Sequence, residues 1–119
     1  MRELDLMEPL VVDGRKIPRD RDGYLRNLAD WTPAVAELLA AEYGIALGDD
    51  HRAVIDVLRA FYAEHRISPA TRVLVKVVGR SLGPDKGSSA FLMRLFPAKQ
   101  TPALVVAKIA GLPRPTNCL

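Results

Sequence analysis

The chain has 119 residues, with 17 Lys and Arg against 14 Asp and Glu, a formal net charge of +3, and 49% apolar residues. This is one domain of ordinary size with apolar material for a single core, and a charge too slight to demand a polyanionic partner. No stretch approaches the roughly 18 consecutive apolar residues of a membrane span, and Met1-Arg2-Glu3-Leu4-Asp5 does not open a signal peptide, so a cytoplasmic protein without membrane contact is expected.

Near the N-terminus, Leu10-Val11-Val12 and Arg15-Lys16-Ile17 read as two short strands joined at Asp13-Gly14, because Asp-Gly accepts the positive φ values of a type I′ hairpin. Asp20-Arg21-Asp22-Gly23 repeats the turn chemistry. Thr32 as cap and Pro33 at the first position start a helix whose inward face is Val35, Leu38, Leu39 and Tyr43, and Gly44 stops it. A second helix, about Asp50 to Glu64, sets Val54, Val57, Leu58, Phe61 and Tyr62 on one side and Arg52, Asp56 and Arg59 on the other.

Ser68-Pro69 is expected to open a third helix to about Leu82, with Val73, Leu74, Val77 and Val78 inward and Gly83-Pro84 ending it. Residues 84–89 form a loop, and a fourth helix with Phe91, Leu92, Leu95 and Phe96 stops at Pro97. Thr101-Pro102 repeats the cap-plus-proline start, so a fifth helix runs from Pro102 to Ala110 and ends at Gly111. The expected fold is mainly α: a compact bundle of about five helices, including a helix-turn-helix-like pair, with an N-terminal β-hairpin and a flexible C-terminal arm. Residues 1–119 form one domain, with 111–119 as a mobile arm.

That arm carries the chain's one cysteine, Cys118, at the penultimate position. Pro113 and Pro115 lack backbone N–H groups and favour extended backbone, so the segment is semi-stiff, and nine residues reach at most ~30 Å. A thiol on such an arm can enter another protein's active site. One cysteine excludes an internal disulfide, and with only His51 and His65 beside it in composition it supplies no four-ligand metal site. No metal or cofactor is expected, and no rigidly placed base accompanies the thiol as in a self-contained cysteine enzyme; His51 and His65 read as surface or boundary residues of the second helix.

The reactive form of the thiol is the thiolate, favoured by positive surroundings. Arg114 lies on the arm, and Lys108 near the end of the fifth helix. Arg72, Lys76 and Arg80 recur every four residues on the third helix, and no acidic residue occurs from Arg66 to Pro84. Such spacing is repulsive by a few tenths of a kcal/mol per pair, so the stripe is either a solvated face or a surface that docks an acidic partner, stabilises a persulfide or meets phosphates. The second and third helices also imitate a DNA-reading helix-turn-helix, a pattern any two helices with a short turn can show; contact with DNA ranks below docking of proteins.

The residues quoted so far include a larger pattern. Asp22-Gly23-Tyr24-Leu25, Trp31, Ser68-Pro69-Ala70-Thr71-Arg72, Lys86-Gly87, Leu95-Phe96-Pro97 and Ala107-Lys108-Ile109-Ala110-Gly111-Leu112-Pro113-Arg114-Pro115 with Cys118 resemble the DsrC/TusE family of sulfur carriers. The resemblance implies a helical fold whose penultimate cysteine, Cys118, carries sulfur as a persulfide. In the TusE-like branch, sulfur arrives from a TusBCD-type (DsrEFH-type) donor and passes to a tRNA thiouridylase for 2-thiolation of the wobble uridine. In the DsrC branch, whose partner is a dissimilatory sulfite reductase complex, a second cysteine lies eleven positions earlier; here that position is Ala107. The departure favours a TusE-like relay or a single-cysteine DsrC-like protein, with a DNA-binding regulator as a third reading.

Overall fold

The structure is a computed structural model that describes residues 7–116. Strands β1 (Leu10–Val12) and β2 (Arg15–Ile17) pair antiparallel, Leu10 opposite Ile17 and Val12 opposite Arg15. Asp13 and Gly14 both take positive φ, 50° and 78°, which gives the expected turn. Leu10, Val12 and Ile17 point into the core. Arg19, which pairs with Leu25 in an isolated bridge, is buried. Its charge is met by Glu42 at 2.8 Å and by the Glu8 carbonyl, to which Nε and Nη2 donate at 3.0 and 2.8 Å. A buried guanidinium needs that full set of partners.

A short 3-10 turn, Leu28–Asp30, delivers Trp31 to the head of helix α1 (Pro33–Ala41). Thr32 caps α1 by accepting the Val35 N–H at 3.2 Å, with Pro33 in the first turn, as expected. The buried face is Val35, Ala36, Leu39 and Ala40, and Leu38 is left 39% exposed. The two alanines correct the expected stripe: small side chains let another helix approach closely there.

Helix α2 (Asp49–His65) begins with Asp49 and Asp50 in its first turn, where the helix dipole favours carboxylates. His51 Nδ1 accepts the Gly48 N–H at 3.0 Å, in the manner of a capping-box side chain. Its proton therefore lies on Nε2, which donates to the Leu95 carbonyl at 2.8 Å. Helix α2 ends at Arg66 in the left-handed region, φ 60°.

Helix α3 runs Thr71–Leu82, so Ser68-Pro69 does not open it. Pro69 is buried and the Ser68 hydroxyl is committed elsewhere, to the Pro113 carbonyl. The inward line of α3 is Leu74 and Val78, while Val73, expected inside, is 42% exposed. After a 3-10 turn at Pro84–Lys86, Ser88 caps α4 (Ser89–Leu95) by accepting the Phe91 N–H at 3.1 Å. Helix α5 (Pro102–Ile109) packs against α1, α2, α3 and α4. Pro102, Ala103, Val105, Val106, Ala107 and Ile109 are buried, so α5 is the central post of the bundle.

Candidate functional site

The last turn of α5 leads into the arm, and the way the chain leaves the helix is closely determined. Ala110 closes α5, Gly111 takes φ 72°, and the Leu112 N–H donates to the Ala107 carbonyl at 2.9 Å. That is a left-handed glycine exit with a buried apolar residue behind it, Leu112. Glycine is required twice over, because a Cβ at this position would stand 2.3 Å from Cδ1 of Trp31.

A helix end leaves carbonyls without partners, and here side chains supply them. The Trp31 indole N–H donates to the Ile109 carbonyl at 2.9 Å, and Arg59 Nη1 donates to the Ala110 carbonyl at 2.6 Å. The Arg59 guanidinium also lies over the Trp31 ring, 3.8 Å from its centroid. Burial pulls the Arg59 guanidinium below its ordinary pKa, and the nearby Asp56 carboxylate opposes that shift; its charge faces the negative end of the α5 dipole. Further along, the Ser68 hydroxyl donates to the Pro113 carbonyl at 2.6 Å, Arg114 pairs with Asp22 at 3.3 Å, and Pro115 is buried. Residues 111–115 of the arm are thus seated on the body; Cys118 lies outside the described residues.

Of the predicted residues, the structure brings Lys108 and Arg114 together around the Asp20–Leu25 turn. Lys108 Nζ stands 5.1 Å from the Tyr24 ring centroid and 5.4 Å from that of Tyr43, while Arg114 holds Asp22 on the same turn. The Tyr24 hydroxyl donates to the Leu104 carbonyl at 3.0 Å. Burial, then the neighbouring Tyr43, pushes its pKa above the ordinary 10.0. Arg72, Lys76 and Arg80 sit apart on the exposed side of α3 and form no ion pair among the described residues. Arg80 borders the cleft between α2 and α3, with Asp56, Phe61 and Glu64 across from it.

Arg59 corrects the sequence reading, which placed it on the polar side of α2 with Arg52 and Asp56. Arg52 is exposed and pairs with Glu37 at 3.0 Å, whereas Arg59 is half-buried against Trp31 and α5. Its signal in the sequence was faint. Positions 55 and 59 are one helical turn apart, and Ile55, with its neighbours Val54 and Leu58, is buried; this marks the flank that continues into the core.

Fold and site together define a class: a small helical bundle that grips the root of a C-terminal arm whose penultimate residue is a thiol. The chain belongs to the DsrC-like family, whose family model, described as "DsrC like protein", matches residues 11–119. It is similar to the sulfurtransferase TusE of Yersinia pestis, with 46% identity over 110 residues, covering 92% of this chain and 99% of that protein. Among solved structures it resembles Allochromatium vinosum DsrC, with a TM-score of 0.85 and 44% identity over 94% of this chain and 98% of that one. The oxidised dissimilatory sulfite reductase gamma-subunit (DsrC) of Archaeoglobus fulgidus aligns with a TM-score of 0.80 and 35% identity over 95% and 100% of the two chains.

Proposed function

We propose that this protein is a sulfur carrier of a relay system, with Cys118 as the sulfur-bearing residue. The observation that carries the reading is the family match, which runs through the arm to residue 119, together with 46% identity to a sulfurtransferase over nearly the full length of both chains. The chemistry is two exchange steps without net redox change. The Cys118 thiolate attacks the outer sulfur of a donor persulfide; a new S–S bond forms at Cys118 and the donor leaves as thiolate. An acceptor thiolate then attacks the outer sulfur on Cys118, which leaves as thiolate in turn. The finer assignment is TusE-like: a TusBCD-type donor, a tRNA thiouridylase as acceptor, and a cytoplasmic setting, consistent with the lack of any helix in the described residues long and apolar enough to cross a membrane. Ala107 speaks against the two-cysteine DsrC branch, since a pair of cysteines on one chain is not present, and the 46% identity to a TusE sulfurtransferase supports the TusE-like reading over a single-cysteine DsrC-like one. Lys108 and Arg114 flank the arm root and Arg72, Lys76 and Arg80 offer a separate basic face for docking a protein partner.

Intact-mass measurement after incubation with a persulfide donor tests the assignment. One added sulfur is expected on the wild-type chain and none on Cys118→Ala; an adduct that survives the substitution would remove Cys118 from its role.

A further inference from the structure

Three carbonyls around the exit from α5 are each held by a side chain from a distant part of the chain: Ile109 by Trp31, Ala110 by Arg59, and Pro113 by Ser68. Between them lies Gly111, the residue type with the greatest backbone freedom. Left to itself, a glycine at the foot of an arm is a swivel. Here it is not left to itself, because the indole and the guanidinium fix the peptide groups before it and Trp31 lies against its Cα. Arginine suits the place in a way lysine does not: its planar group stacks on the indole at 3.8 Å while an edge N–H reaches the Ala110 carbonyl.

We propose that Arg59 and Trp31 are positioning residues for the carrier thiol: they suppress the swivel at Gly111 and so set the direction from which Cys118 is presented to a protein partner. The proposal rests on the carrier reading for its functional half, while its geometric half stands on the clamp alone. Cys118 lies two positions beyond Thr116, a reach of at most ~7 Å, so a change of direction at the root decides where the thiol arrives.

The chain has one tryptophan and one cysteine, which makes the full-length protein a natural energy-transfer pair once Cys118 carries a fluorescent acceptor. Donor lifetimes with and without the acceptor give the distance distribution and cancel any direct effect of a substitution on the indole. Arg59→Met, which keeps an unbranched apolar stem and loses the charge and the donor, is expected to broaden that distribution, and Arg59→Lys to broaden it less. With persulfidated protein, Arg59→Met should lower kcat/KM toward a tRNA thiouridylase roughly ten-fold, the equivalent of one charge-assisted hydrogen bond, mainly through KM. Transfer to cyanide, in which the outer sulfur leaves as thiocyanate and Cys118 as thiolate, has no direction to satisfy and should keep its rate. Superimposable distance distributions would overturn the clamp, and equal losses toward thiouridylase and cyanide would reduce it to a structural contact. Wild-type protein that yields no thiocyanate would remove the carrier reading instead, and the distance distributions would then decide the clamp by themselves.

Discussion

At the scale of single residues, the tightest constraint falls on Gly111. Its φ of 72° already disfavours any side chain, and the added Cβ would meet three Trp31 atoms within 2.8 Å. Gly14 has a similar φ, 78°, and open space around it. Gly111→Ala should therefore cost well over about 2 kcal/mol and Gly14→Ala only about 1 kcal/mol, since the second involves backbone strain alone; urea denaturation of the two variants measures the difference. Tyr24 gives a pH signature. Its folded pKa is raised, so the folded protein holds the phenolic proton where the unfolded chain releases it, and stability is kept below pH 10 and declines as pH rises above it. Melting temperatures between pH 8 and 11 should fall more steeply for the wild type than for Tyr24→Phe, which lacks the titrating group but starts lower because the hydrogen bond to Leu104 is gone.

At the scale of elements, α3 shows a face whose charges work against its own stability. Lys76 has Arg72 and Arg80 one turn away on either side, without ion pairs to described residues. Lys76→Glu converts two repulsive pairs to attractive ones and should raise stability by roughly 0.5–1 kcal/mol, while slowing sulfur transfer in a salt-dependent way if this face docks an acidic partner. Thermal melts and transfer rates at two ionic strengths separate the effects. Helix α5 makes a different prediction. Ala107 is fully buried and its carbonyl is bonded to Leu112, so a thiol placed by Ala107→Cys is sealed in the core. Mild oxidation should still give the intermolecular Cys118 dimer first, with any internal bond forming only as the last turn of α5 opens; non-reducing electrophoresis over time shows the order.

For the molecule as a whole, what was legible in the sequence is what local chemistry decides. Asp13-Gly14, Thr32-Pro33 and Pro102 mark their elements to within a residue, because turn, cap and first-turn proline preferences act over three or four positions, although the Thr101 side chain makes no cap bond to α5. The start of α3 was misread because the Ser68 hydroxyl, a good cap by local rules, is spent on Pro113, 45 residues away. The grip on the arm root was not legible for the same reason. Cys118, outside the described residues, stays an expectation of the sequence, while the grip draws Asp22, Trp31, Arg59 and Ser68 from four separate stretches of chain. Nothing in the local pattern of any one stretch points to the others.

These grips also set how the arm responds to a pull. A partner that draws on Cys118 loads the contacts in series from the tip inward. The seat of buried Pro115 comes first, then the exposed Arg114–Asp22 pair and the Ser68 hydroxyl on Pro113, and last the Arg59 and Trp31 bonds at the helix end. Exposed ion pairs hold with at most about 1 kcal/mol and a partly buried charged donor with about two to three times that, so the attachment strengthens toward the core. The arm is then a graded tether: each contact that yields pays out more chain, from a reach of ~7 Å beyond Thr116 to ~25 Å beyond Gly111, and the tension ends on α5, the helix most deeply embedded in the bundle.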